Sequence, residues 1–162
     1  MDLKNNKGMF LESLLNRTAE IYKDEKSCLF YKRHTPVVTN NNSKKFNYIS
    51  KSECDYYGIY KSIYFEFEAK STVKEKFNLQ NLKPHQIEQL NNVYAHGGIS
   101  FIIVYFEALD KYFMMHINSI NNWILNNSSK QMPVQYFLKK GQEIKISYPL
   151  KLDFINYLIS IN

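Results

Sequence analysis

The chain of 162 residues contains only five glycines, four prolines and two cysteines. With so few glycines it has no glycine-rich phosphate loop, and neither the P-loop nor the dinucleotide-binding spacing occurs, so no nucleotide cofactor is expected. Cys28 and Cys54 form no CxxC pair, and the N-terminus is polar with no secretory leader, which favours free thiols in a reducing compartment. The densest apolar run, Ile99 to Phe106, is too short to cross a bilayer. We therefore expect a soluble cytoplasmic protein without membrane contact.

Arginine is also rare, because only Arg17 and Arg33 are found among the 21 Lys and Arg residues. The net charge is nevertheless +6 and the sequence pI is about 9.1, so a polyanionic partner is electrostatically reasonable. Lysine-rich chains with 18 asparagines are typical of AT-rich coding DNA, so charge by itself does not identify the partner. The length and the 44% hydrophobic content predict one domain over residues 1–162 with one substantial core.

Hydrophobic periodicity divides the chain into alternating helices and strands. The asparagine-rich stretch from Thr39 to Lys45 is predicted to be an exposed loop. Residues 143–161 fit either a strand with a helix or two short strands. Helical spacing of apolar residues, together with Pro84 at an N1 position, predicts the helices Met9–Asp24, Pro84–Ala95 and Asn118–Leu125. Apolar or alternating runs predict the strands Cys28–Tyr31, Ser100–Phe106, which is expected to be covered on both faces, and Tyr112–Ile117.

The segment from Tyr56 to Ala69 is rich in aromatic and β-branched residues on both sides of Lys61-Ser62, which predicts a β-hairpin. If the turn is tight, the numbers of cross-strand partners sum to 123. Asp55 then lies opposite Glu68, and Glu53 lies opposite Lys70. Cross-strand Cβ atoms are about 4.5–5.5 Å apart, so the carboxylates of Asp55 and Glu68 are expected to share one small space.

Two adjacent carboxylates repel each other unless a cation lies between them. Mg²⁺ suits this environment, because it prefers oxygen ligands and takes one or two protein carboxylates while keeping several waters. Lys70 returns to the face of Glu68 and can orient a water or offset charge that develops on a phosphate. Asp55, Glu68 and Lys70 thus predict phosphodiester hydrolysis. The competing interpretation is that Glu66, Glu68 and Lys70 form the solvated face of an amphipathic strand.

These residues resemble the restriction-endonuclease-like PD-(D/E)xK nucleases, and more narrowly the bacterial RecU-type Holliday junction resolvases. The resemblance is strongest at the hairpin and the helix after it. The remaining matches lie near both ends and cover nearly the whole chain. The matching residues are Gly8-Met9, Leu11-Glu12, Asn16, Thr18, Tyr22, Lys32-Arg33, Thr35-Pro36-Val37, Asp55-Tyr56, Gly58, Tyr60-Lys61, Tyr64, Phe67-Glu68-Ala69-Lys70, His85-Gln86-Ile87-Glu88, Gly98-Ile99 and, more weakly, Pro149 and Asp153.

The resemblance implies an α/β fold with a central mixed sheet flanked by helices, a Mg²⁺ cofactor that Mn²⁺ can replace, and a homodimer acting on four-way DNA junctions in the bacterial cytoplasm. Recombinase and branch-migration proteins are further expected partners. It also carries over Asp55 and Glu68 as metal ligands, Lys70 as the catalytic lysine, and Gln86 as an active-site residue near the metal and a candidate metal ligand. A first-turn glutamine is also an ordinary capping residue. Glu12 could reach the metal or DNA, although an exposed helix glutamate needs no such role.

The chain departs from the family in two places. Glu53 stands where a hydroxyl residue is common, which adds a possible metal ligand. The segment between Pro36 and Asp55 is shorter than is usual, so residues 39–51 are expected to form a shortened stalk or loop. Phosphate contacts are predicted for five cations at or near this segment, which are Lys32, Arg33, Lys44, Lys45 and Lys51.

Two other functions remain open at this point. One is a less selective nuclease of the same superfamily, since the stalk is short. The other is a catalytically silent protein that binds junctions and regulates recombination. The four histidines and two cysteines have no zinc-ligand spacing, so a zinc site is not expected.

Overall fold

A six-stranded mixed sheet with helices on both faces forms the centre of the protein. The computed structural model describes residues 7–34, 37–39, 46–48 and 53–160. The helices are α1 (Lys7–Asp24), α2 (Pro84–Ala95), α3 (Ile117–Asn126), α4 (Val134–Lys140) and α5 (Ile155–Leu158). The strands are β1 (Leu29–Lys32), β2 (Val37–Thr39), β3 (Phe46–Tyr48), β4 (Tyr56–Tyr60), β5 (Ile63–Thr72), β6 (Lys76–Asn78), β7 (Ile99–Phe106), β8 (Lys111–His116), β9 (Gln131–Pro133), β10 (Gln142–Ile144), β11 (Ile146–Ser147) and β12 (Lys151–Leu152).

The strand order of the main sheet is β1-β4-β5-β7-β8-β10. Only the central pair β5 and β7 is parallel, and the other neighbours are antiparallel. A parallel pair needs a crossover connection, and α2 lies within the one that joins β5 to β7. The predicted α/β class with a central mixed sheet and flanking helices is therefore confirmed.

Hydrophobic clusters cover the sheet on both faces. Side chains of α1 and of the C-terminal segment pack on one face, and side chains of α2, α3 and α4 pack on the other. Strand β7 contributes Phe101 and Ile103 to the first cluster, and Ile102 and Val104 to the second. All four are fully buried, as predicted for a continuous apolar strand.

The β4–β5 hairpin has the predicted register. Tyr56 pairs with Phe67 and Tyr60 pairs with Ile63, so partner numbers sum to 123. Both turn residues, Lys61 and Ser62, have positive φ angles of 46° and 66°, as the favoured two-residue turn requires. A Cβ atom at Gly58 would lie 2.4 Å from the carbonyl oxygen of Leu29, so glycine allows β1 to approach β4.

Helix α2 has its predicted bounds, and the other predicted helices and strands are present with ends shifted by one or two residues. The C-terminal region combines both predicted possibilities, because it contains β10, β11, β12 and α5. Helix α4 and the β6–β9 pair were not predicted. Strands β2 and β3 form a separate antiparallel pair. The rest of the predicted stalk, including Lys44, Lys45 and Lys51, lies outside the described residues. Among the described helices, none is long and apolar enough to span a membrane.

Candidate active site

Asp55 and Glu68 lie side by side at the start of the hairpin. Asp55 directly precedes β4, and Glu68 is on the neighbouring strand β5. The backbone N–H of Asp55 donates to Oε2 of Glu68 at 3.1 Å, and the backbone N–H of Ala69 lies 3.5 Å from Oδ2 of Asp55. The predicted juxtaposition of the two carboxylates is therefore present.

Glu68 is fully buried, and two side chains donate to its Oε1 atom. Nζ of Lys70 and Nε2 of Gln86 each lie 2.5 Å from this atom. Burial and the charge of Asp55 raise the pKa of Glu68 to about 7, while Lys70 opposes the shift. The site thus brings together the four residues predicted to be catalytic, which are Asp55, Glu68, Lys70 and Gln86.

Gln86 both caps α2 and contacts the carboxylate pair. Its Oε1 atom accepts from the backbone N–H of Lys83 at 2.9 Å, which completes the start of the helix. Its amide nitrogen is then directed to Glu68, and the side chain is buried. The two interpretations of this glutamine are thus compatible. A direct bond from Gln86 to a metal stays a prediction.

Arg33 contacts two carboxylates, those of Glu53 and Glu66. Its backbone N–H also donates to the carbonyl oxygen of Asp55 at 2.7 Å. Thus Glu53, a predicted metal ligand, and Arg33, a predicted phosphate contact, form an ion pair with each other. Both of these predicted roles remain predictions.

Lys32, the second described cation of the predicted DNA-binding set, pairs with Glu12 of α1. Both side chains are more than one third exposed, with values of 38% and 36%. An exposed ion pair contributes little free energy and exchanges easily with other partners. This contact therefore leaves Lys32 able to bind phosphate.

Glu66 is the residue that sequence reasoning missed. It is only 2% exposed, and its Oε1 atom accepts from Tyr64 at 2.5 Å, Arg33 at 3.0 Å and Gln89 at 3.1 Å. The interpretation of Glu66 and Glu68 as a solvated face is therefore wrong, because α2 covers them. The spacing in the sequence contained one signal for this contact. Gln86 and Gln89 lie on one face of a helix, Glu66 and Glu68 lie on one face of a strand, and the two faces pair through Gln86–Glu68 and Gln89–Glu66.

The donor set at Asp55 and Glu68 suits Mg²⁺. Within the ranges that the structure describes, no three His, Cys, Asp or Glu side chains form a metal-binding group. Two carboxylates suffice for Mg²⁺, because it retains several of its waters and takes the remaining ligands from a substrate phosphate. Burial is the largest cause of the raised pKa of Glu68 and the charge of Asp55 adds to it, and a divalent cation would offset the repulsion between the two carboxylates.

The raised pKa of Glu68 makes the metal-free protein less stable at high pH. Between about pH 4.5 and pH 7 the folded protein retains a proton that the unfolded chain loses, so the free energy of unfolding falls as the pH rises through this range. We expect Glu68→Gln to be more stable than the wild type at pH 8 in EDTA, and this difference to vanish near pH 4.5. Thermal unfolding at both pH values measures it.

Glu143→Gln provides the control for this experiment, because Glu143 pairs with Lys111 in a partly exposed position. It should show no comparable stabilisation at pH 8. An unchanged or lower melting temperature of Glu68→Gln at pH 8 would mean that the contacts from Lys70 and Gln86 outweigh the desolvation of the carboxylate.

Comparison with known proteins identifies the family. The family model described as "Recombination protein U" matches residues 6–160. The Holliday junction resolvase RecU of Mycoplasmopsis pulmonis is 33% identical, and the alignment covers 98% of both chains. The resolvase RecU of Ureaplasma parvum is also 33% identical over 95% of this chain and 92% of that protein. For the Geobacillus kaustophilus RecU the identity is 31%, over 96% of this chain and 84% of the relative.

Among solved structures, Hjc, a Holliday junction resolvase from Archaeoglobus fulgidus, aligns with a TM-score of 0.48 and 11% identity. That alignment covers 80% of this chain and 90% of Hjc. The match to the family model and the identities over nearly the full length agree with each other. The chain belongs to the RecU family.

Proposed function

We propose that this protein is a Mg²⁺-dependent Holliday junction resolvase, which cuts four-way DNA junctions by paired symmetric nicks. The observation that carries the proposal is the contact between Asp55 and Glu68, with Lys70 and Gln86 both donating to Glu68. The RecU relatives named as Holliday junction resolvases align over nearly the whole chain and support the choice of substrate.

Each residue of the site has a part in phosphodiester hydrolysis. Asp55 and Glu68 would hold Mg²⁺. When bound, Mg²⁺ supplies a water of lowered pKa and polarises the phosphoryl oxygens. Water attacks phosphorus, the bond to the 3′ oxygen breaks, and that oxygen takes up a proton, which leaves a 5′-phosphate and a 3′-hydroxyl. Lys70 offsets charge on the phosphoryl group, and Gln86 holds Glu68 in a fixed orientation.

Symmetric cuts in two strands need two active sites, so we propose a homodimer with a two-fold axis. Strand β1 lies at one end of the main sheet, and its neighbourhood exposes apolar side chains that a second copy could cover. These are Leu29, Tyr31, Ile59 and Tyr64. Such a dimer would act in recombination and DNA repair in the bacterial cytoplasm, together with recombinase and branch-migration proteins.

The test is cleavage of a synthetic four-way junction, a flap and a duplex, each with Mg²⁺, with Mn²⁺ and in EDTA. We expect metal-dependent nicks at symmetric positions of the junction only, from a protein that sediments at the mass of two chains. Cleavage of all three DNAs at similar rates would favour a less selective nuclease. Tight junction binding without metal-dependent cleavage would favour a catalytically silent regulator.

Junction selectivity depends most on the shortened segment, residues 39–51. We expect Lys44→Ala/Lys45→Ala to weaken junction binding and to reduce the magnitude of the salt slope by up to about two, one for each lost phosphate contact. Binding to junction and to duplex should be measured over a range of salt concentrations. If the segment probes the junction, the double variant should lose its preference for junction over duplex. If the segment only supplies charge, the double variant should bind both DNAs more weakly by the same factor.

A further inference from the structure

Arg33 lies between two carboxylates, those of Glu53 and Glu66, which are close in sequence to the catalytic pair Asp55 and Glu68. It directly follows β1, and its guanidinium contacts Glu53 on one side and Glu66 on the other. The centroid of the Tyr57 ring lies 4.8 Å from the guanidinium carbon. These contacts leave the Arg33 side chain only 25% exposed.

Glu66 anchors this arrangement inside the protein. Its side chain is 3% exposed, and Tyr64 and Gln89 donate to the same oxygen as Arg33. A buried carboxylate is costly unless a cation compensates it, and Arg33 is the cation that does so here. Removing Arg33 would leave Glu66 with an uncompensated buried charge, whereas removing Glu66 would leave Arg33 paired with Glu53 alone.

The segment that carries Asp55 is held from both sides. On the β1 side, Arg33 binds the carbonyl oxygen of Asp55 with its backbone and the carboxylate of Glu53 with its side chain. On the α2 side, the fully buried Sγ atom of Cys54 lies 3.8 Å from the carbonyl oxygen of Gln86. Asp55 therefore directly follows two residues, Glu53 and Cys54, whose side chains both contact neighbouring elements.

We infer that the Arg33–Glu66 pair is a positioning device that sets the place of Asp55 relative to Glu68, and that Arg33 is not a phosphate contact. This inference rests on the proposed function, because it assigns Asp55 and Glu68 to the divalent cation. Glu66 lies two residues before Glu68 on one rigid strand, so Arg33 ties the segment of one carboxylate to the strand of the other. Mutation of a residue that orients a metal ligand without binding the metal itself typically lowers metal affinity or activity 10–100-fold.

The two possible roles of Arg33 predict effects of Glu66→Gln on different quantities, the Mn²⁺ affinity in one case and the DNA affinity in the other. If Arg33 positions Asp55, then Arg33→Gln and Glu66→Gln should each weaken Mn²⁺ binding about 10–100-fold. The double variant should bind Mn²⁺ as tightly as the single variant with the lower affinity, because both changes break the same pair. Both should leave the salt slope of junction binding in EDTA unchanged. If Arg33 contacts phosphate, Arg33→Gln should reduce that slope by about one with normal Mn²⁺ affinity, and Glu66→Gln should tighten DNA binding.

The experiment measures Mn²⁺ affinity of the DNA-free protein by electron paramagnetic resonance, together with the salt dependence of junction binding. Arg17→Gln and Glu20→Gln are the matched controls, because they break an exposed Arg–Glu pair on α1 and should bind Mn²⁺ like the wild type. Thermal unfolding identifies variants that do not fold. If Arg33→Gln does not fold, Arg33→Lys replaces it in the experiment. The lysine ammonium lacks the planar guanidinium that contacts two carboxylates at once, so Arg33→Lys should still bind Mn²⁺ more weakly than the wild type.

Wild-type Mn²⁺ affinity in folded Arg33 and Glu66 variants would overturn the positioning role and leave the proposed function intact. Failure of the wild-type protein to bind Mn²⁺, both alone and in the presence of a four-way junction, would instead reject the proposed function. The two failures are therefore distinguishable in the same set of titrations.

Discussion

We expect Asp55→Asn and Glu68→Gln each to abolish Mg²⁺-dependent cleavage of a four-way junction, by at least about 10³-fold, while junction binding stays equal or becomes tighter. Each change keeps the shape of the side chain and removes one of the two negative charges that would hold the cation. The loss of one negative charge also reduces the repulsion between the site and the DNA phosphates, so junction binding should not become weaker.

Binding and cleavage must be measured separately for this prediction. Junction affinity is determined in EDTA, and nicking is followed under single-turnover conditions with Mg²⁺. Glu143→Gln is a suitable control, because it removes a carboxylate that pairs with Lys111 on the β8–β10 side of the sheet. Mg²⁺-dependent cleavage at the control rate by either Asp55→Asn or Glu68→Gln would reject the assignment of the metal ligands.

The hairpin shows why much of the site could be predicted from the sequence. A tight turn at Lys61-Ser62 determines every cross-strand pair, so placing the turn is enough to bring Asp55 opposite Glu68. The alternation of side chains along β5 then puts Lys70 on the face of Glu68. These are local rules that act over fewer than about 20 residues and need no knowledge of the rest of the fold.

The covering of the hairpin could not be predicted in the same way. Whether Glu66 faces water or a helix depends on where α2 packs, which is a tertiary contact that alternation along β5 does not report. The β6–β9 pair presents the same difficulty, because Lys76–Asn78 and Gln131–Pro133 are three-residue strands far apart in the chain. Short strands carry too little periodicity to be recognised before their partners are known.

The ion pairs of Arg33 also depend on tertiary structure. In the sequence, Lys32-Arg33 is a basic dipeptide next to a predicted DNA-facing segment, which favours phosphate contacts for both residues. The structure separates them, because Lys32 pairs with the partly exposed Glu12 while Arg33 pairs with the buried Glu66. Lys32 is the last residue of β1 and Arg33 directly follows the strand, so the alternation of side chains along β1 does not report the surroundings of Arg33.

Lys70→Ala should reduce the cleavage rate by about 10²–10⁴-fold with little change in junction affinity. The ammonium of Lys70 lies 2.5 Å from Oε1 of Glu68 and its side chain is only 24% exposed, so it faces the catalytic pair rather than the open surface. An interaction that strengthens as charge develops on the phosphoryl group lowers the barrier without adding to ground-state binding.

Single-turnover rates at saturating enzyme, compared with junction affinity in EDTA, separate these two quantities for Lys70→Ala. Lys111→Ala is the matched control, because it also removes a lysine that pairs with a glutamate on the sheet. A large loss of affinity with a normal rate at saturation would make Lys70 a docking contact for phosphate. A lower rate at unchanged affinity would instead support a role for its ammonium in the catalytic step, beside the carboxylate of Glu68.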